Sequence, residues 1–165
     1  MKRLTITGIL LLIAMTAATA FGAAKVEAPD SCAVCGMSRP GFAKSRMLVT
    51  YEDGSTFGTC SIACVSDKLA KNEKKVKSVQ VGDYTTEKLI DAKSAVWVIN
   101  TNDRGVMSPV AKWAFGDKAA AEAYVKKKGG KTASWDDALA AACSEGNDSA
   151  KGSAGCNCCN KQPKK

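Results

Sequence analysis

The chain has 165 residues, enough for one domain or two very small ones and too few for a large multidomain enzyme. It carries 24 Lys and Arg against 16 Asp and Glu, for a formal net charge of +8; the lysines (Lys68, Lys71, Lys74, Lys75, Lys77, Lys126, Lys127, Lys128) lack interleaved aromatic residues, which argues against nucleic-acid binding and for a solvated basic surface. There is no histidine, the commonest general base, and no Ser/His/Asp array, phosphate loop or paired-carboxylate site, so the composition argues against an enzyme.

Lys2 and Arg3 precede an uncharged run from Leu4 to Ala24 that contains the small-residue site Ala18-Thr19-Ala20. This predicts a signal peptide over residues 1–24 and export to a bacterial periplasm or the cell exterior. Its threonines and glycines weigh against an uncleaved anchor, and no stable membrane span is expected after cleavage. No cysteine follows the run, so lipid attachment is not supported. Export makes disulfides the competing explanation of the eight cysteines.

Next comes Cys32-Ala-Val-Cys35-Gly-Met37. Two residues between thiols let a tight knuckle aim both sulfurs at one point. Apolar residues alternate at Met47, Val49 and Tyr51, Asp53-Gly54 supplies a turn, and Ser55 to Thr59 returns, which predicts a β-hairpin. Ser61 suits a helix N-cap, and Ile62, Val65 and Leu69 continue at helical spacing up to the Lys71 to Lys75 run. Cys60 then closes the hairpin, and Cys64 stands on the first helical turn, so four thiols converge. Val76, Val79 and Val81 predict another strand, and the first unit spans residues 25–93.

A second unit over residues 94–143 repeats the order. It has a strand at Ala95 to Asn100, a turn at Asn102-Asp103-Arg104-Gly105, and a strand around Lys112 to Phe115. A helix capped by Asp117 follows and stops at Gly129-Gly130. Lys131 to Ala133 predicts a short strand, and Ser134 with Asp137 forms a capping box for a terminal helix. The fold class is α+β, with two small tandem ββαβ units, the first bearing a treble-clef-like cysteine knuckle. From Ser144, Gly, Ser, Asn and Lys dominate, which predicts a tail that is disordered without metal. Its Cys156, Cys158 and vicinal Cys159 suit metal better than several strain-free disulfides.

The residues resemble the NosL family of exported copper-binding accessory proteins for nitrous-oxide reductase assembly. The likeness lies in Cys32-Ala-Val-Cys35-Gly-Met37, Met47-Leu-Val-Thr-Tyr-Glu-Asp-Gly54, Gly58-Thr-Cys60-Ser61, Ala95-Val-Trp-Val98, Val106-Met107-Ser-Pro109 leading to Ala114-Phe115, and the Gly129-Gly130 stop. The first half is also similar to YHS and TRASH metal-binding modules. This resemblance implies a periplasmic Cu(I) carrier with ligands from Cys32, Cys35, Met37 and Met107, and a client copper enzyme or another metallochaperone as partner. The chain departs from the family in lacking both the lipoprotein cysteine and any histidine, with Ala63 where relatives often carry one.

Each residue also has a plainer explanation. Met37 is a core plug beneath the knuckle, Met47 is a core residue, and Cys143 is a core thiol or the partner of a tail cysteine. Met107, beside Pro109 in a turn, has no periodic reason to be apolar. Trp97, Trp113 and Trp135 fall on core faces. Two alternatives to copper remain: structural Zn(II) closed by Cys32, Cys35, Cys60 and Cys64, and a thiol oxidoreductase built on Cys32 and Cys35.

Overall fold

A computed structural model describes residues 26–71 and 73–149. The signal peptide expected over residues 1–24 and the tail cysteines Cys156, Cys158 and Cys159 lie outside them.

The first unit follows the hydrophobic pattern. Strands β1 (Met47–Tyr51) and β2 (Thr56–Thr59) form the expected antiparallel hairpin, pairing Met47 with Thr59 and Val49 with Phe57. At its turn Gly54 takes φ +80°, and the Asp53 carboxylate accepts a hydrogen bond from Ser55 N at 2.9 Å. Helix α1 (Ile62–Lys71) starts directly after Ser61, and β3 (Val76–Gly82) returns antiparallel to β1. A short strand unforeseen in the sequence, β4 (Leu89–Asp91), adds to β3, so the sheet order is β2-β1-β3-β4. A 3-10 turn over Pro40–Phe42 was likewise not expected.

In the second unit β5 (Val96–Ile99) lies between β6 (Trp113–Phe115) and β7 (Lys131–Ala133). Helix α2 (Lys118–Lys128) connects β6 to β7, and its N-cap Asp117 accepts from Ala120 N at 3.0 Å. Gly130, at φ +88°, ends this segment where a Cβ would sit 2.4 Å from Ile99 O. Helix α3 (Trp135–Ser149) opens with the expected Ser134–Asp137 box. It runs past Ser144, where the sequence places the start of the tail. The Lys112–Glu145 ion pair, at 2.7 Å, ties this extra turn to the body.

The two units share one core. Met47, Val49, Val65, Val79 and Val81 from the first pack with Trp97, Ile99, Ala114, Trp135 and Leu139 from the second. Each fully buried aliphatic side chain contributes roughly 1.5–3 kcal/mol relative to exposure. Beside this core, Tyr84, Trp113, Phe115 and Tyr124 form a smaller aromatic cluster. Residues 26–149 contain 17 Lys and Arg against 16 Asp and Glu, so the folded body is nearly neutral and the cationic excess belongs to the terminal segments. Among the described residues, no helix is long and apolar enough to cross a membrane.

Candidate metal centre

The knuckle is a small closed turn. Ser31 and Ser38 pair as an antiparallel bridge, Cys32 N donates to Met37 O at 2.8 Å, and Gly36 N donates to Cys32 O at 2.9 Å. Gly36 takes φ +74°, a left-handed conformation that lets the chain fold back beneath both thiols. Ala33 N donates to Gly58 O at 2.9 Å, which lays the knuckle on β2. Cys60 follows β2 directly, and its carbonyl accepts from Ser45 Oγ at 2.7 Å. Cys64 enters from the first turn of α1, four residues on and therefore on the same side.

These elements bring together Cys32, Cys35, Cys60 and Cys64, whose sulfurs all lie within 4.8 Å of one another. Cys35, Cys60 and Cys64 form a triangle with sides of 3.5, 3.8 and 3.8 Å. A tetrahedron of sulfurs at about 2.3 Å from a central zinc ion has edges of about 3.8 Å. All four cysteines are free thiols. This overturns the disulfide explanation for them, because the geometry gathers four sulfurs around a point instead of joining them in pairs. Cys32, Cys60 and Cys64 are buried, whereas Cys35 is half-buried and forms the accessible corner.

The hydrogen bonds within the cluster separate its acidities. The bond from Cys64 outweighs burial and pulls Cys60 down to about 6. That same bond, with burial and the neighbouring Cys60 and Cys32 charges, pushes Cys64 up. Burial, together with the Cys32 and Cys60 thiols, also pushes Cys35 up. The Cys60 proton therefore leaves readily, whereas those of Cys64 and Cys35 are held more tightly. The Cys32–Cys35 pair sits in a turn and not at a helix N-terminus, so it lacks the helix dipole that commonly lowers the first thiol of a redox pair.

The remaining candidates are distributed around this cluster. Met37 packs against the cysteines, as do Phe42 and Val106. Met107, next in the chain to Val106, is 55% exposed and holds φ +55°. Met47 is wholly buried in the main core. Cys143 is buried in the main core and disulfide-bonded, so it is not a lone core thiol. Trp97 and Trp135 stack in the core at 5.5 Å, and Trp113 joins the aromatic cluster.

Sequence reasoning missed the support beneath the knuckle. Arg39 is fully buried, and Arg46 is nearly so, with Glu27 between them. Burial opposes ionisation of Glu27, but hydrogen bonds from Arg46 and the two guanidinium charges prevail and hold its carboxyl below the usual range. One signal was available: the chain uses only four arginines among its 24 basic residues, and two of them flank the knuckle and hairpin.

Comparisons with known proteins agree with this architecture. No curated protein sequence matches the chain. Among solved structures, the copper chaperone NosL from Shewanella denitrificans has a similar fold, with a TM-score of 0.54 and 24% sequence identity. The likeness covers 68% of this chain and 94% of that one. The sequence model of the NosL family matches residues 23–142, which include both units, the knuckle and Met107. The chain belongs to the NosL family.

Proposed function

We propose that this protein is an exported Cu(I) carrier that takes up copper at the Cys32, Cys35, Cys60 and Cys64 cluster and passes it to a copper enzyme, with nitrous-oxide reductase as the family's implied client. One observation carries this proposal: four soft donors converge, Cys32, Cys60 and Cys64 buried and Cys35 half-buried at the accessible corner. Cu(I) is soft and accepts few, polarizable sulfur ligands, so a donor from the recipient can replace Cys35 without dismantling the buried corner. Met37 lines the cluster, and the exposed Met107 follows Val106, which packs against it; as a neutral thioether, each can ligate Cu(I) without losing a proton. Membership in the family and the fold shared with a copper chaperone support the same assignment. Export rests on the charge and hydropathy pattern of residues 1–24.

The sulfur spacing also favours a second candidate. Edges of 3.5–3.8 Å suit a closed zinc tetrahedron, in which the metal would stabilise the fold. Anaerobic titration of the reduced full chain against a Cu(I)-selective chelator, repeated with Zn(II), separates the two. A carrier binds Cu(I) stoichiometrically, loses it on Cys35→Ser or Cys32→Ser, and yields it to a recipient. Tight zinc with negligible Cu(I) affinity would sink the proposal.

A further inference from the structure

Arg39 lies at the point where the supports of the two cysteine pairs meet. Its Nε donates to Thr59 O at 3.3 Å and its Nη2 to Met47 O at 3.1 Å. Nη1 donates to Glu27 O at 2.8 Å and to Pro29 O at 2.5 Å, while Nη2 also binds the Glu27 carboxylate. Thr59 immediately precedes Cys60, and Glu27 and Pro29 belong to the arm that leads into Cys32. Arg46 binds both Glu27 oxygens at 3.0–3.2 Å and anchors that carboxylate to the carbonyls of Ala43 and Glu87. Gly58 leaves the space: a Cβ there would stand 2.5 Å from Arg39 Cζ.

Among the described residues, none before Met47 belongs to the main apolar core. The sheet therefore draws its packing from elsewhere, whereas the arm carrying Cys32 and Cys35 has only the small cysteine cluster with Met37 and Phe42 to pack in, and a polar network centred on Arg39 ties it to the hairpin. Four backbone carbonyls converge on one permanently charged, planar fork with five donors. A lysine ammonium supplies the charge but only three donors from a single point.

We propose that Arg39, with Glu27 and Gly58, is a positioning clasp that holds the Cys32–Cys35 knuckle in register with Cys60 and Cys64. Affinity for a soft metal ion then depends on a side chain that does not touch the ion. The clasp rests on the four thiols holding a metal, whichever metal that is, so Co(II) serves as the probe.

The reduced full chain is titrated with Co(II), recording thiolate-to-cobalt charge transfer and the tetrahedral ligand-field bands; the tail cysteines are common to every variant. Arg39→Met and Arg39→Lys are both expected to lose charge-transfer intensity and about tenfold to hundredfold in affinity, the range typical of ligand-orienting partners. If both keep the wild-type spectrum and affinity, the clasp is overturned even where the apo melting temperature falls. Should the Arg39 variants not fold, Glu27→Gln decides, because it leaves the four carbonyl bonds in place. An affinity loss of about threefold or more at unchanged helix content supports the clasp, and an unchanged affinity refutes it. A wild type without a tetrahedral thiolate spectrum removes the four-thiol site and the clasp together, whereas a metal-binding wild type with indifferent variants removes the clasp alone.

Discussion

Met107 is held in a conformation that a methionine side chain disfavours, with φ +55° and over half its surface in solvent. Left-handed backbone costs a non-glycine residue on the order of 1–3 kcal/mol, and such strain concentrates at working sites. Packing does not explain the residue, since it is Val106 that fills the space against the cysteines. Met107→Gly should therefore leave thermal stability unchanged or raise it by up to about 1 kcal/mol, while Cu(I) affinity falls about tenfold and zinc affinity holds. Parallel melting and chelator-competition curves check this, and a variant that loses stability but keeps Cu(I) assigns Met107 to the fold. At this scale the cysteines were legible because spacing alone puts two on a turn and two on a helical face. Arg39 was not, because a lone arginine before Pro40 carries no periodic signal and its role lies in carbonyls distant in sequence.

The loop that presents Met107 is fixed to α3 by a polar clamp. Lys112, with its side chain 2% exposed, pairs with Glu145 at 2.7 Å and also donates to Ser108 Oγ at 3.0 Å and Val110 O at 3.2 Å. Glu145 retains partial access to water, so the two ends of the pair are not equivalent. Lys112→Met leaves a carboxylate that can hydrate and should cost about 1–2 kcal/mol; Glu145→Ala strands a buried ammonium and should cost about 3–5 kcal/mol. Denaturant unfolding gives both values, and the reverse order would show that the pair acts by packing. The same clamp explains why α3 outran the sequence expectation. Glycine- and asparagine-rich composition signals a break, but a tertiary ion pair at Glu145 carries the helix onward. Most other elements were legible, since Val49, Val79 and Trp97 fall on correct periods and Asp117, Ser134 and Gly129 mark real ends. Strand β4 was not, because Leu89–Asp91 is held by pairing with β3 and is too short to show alternation.

The whole molecule turns on how two small sheets, of four and three strands, share one core. Asp83 is the joint between them. Directly after β3, its Oδ1 accepts from Gly116 N at 3.0 Å and its Oδ2 from Thr86 N and Oγ1 at 2.9 and 2.6 Å. Its backbone bridges to Ala114, and Tyr84 N donates to Ala114 O at 2.8 Å. Burial raises this carboxyl, but the Thr86 and Gly116 bonds outweigh it and leave it below its usual value. A folded pKa depressed below the unfolded one gives stability that is complete above the unfolded value of about 3.9 and disappears as pH falls through the folded value. Asp83→Asn should thus lose about 1–3 kcal/mol at pH 7, and its deficit should shrink steadily below about pH 4. Carboxylates common to both chains, Glu27 included, titrate in each and cancel in the difference. Because the core is continuous, the variant should still unfold in one transition, with Trp97 in the second sheet and the far-UV signal moving together. A pH-independent deficit would deny the charge its role, and two separated transitions would deny the shared core.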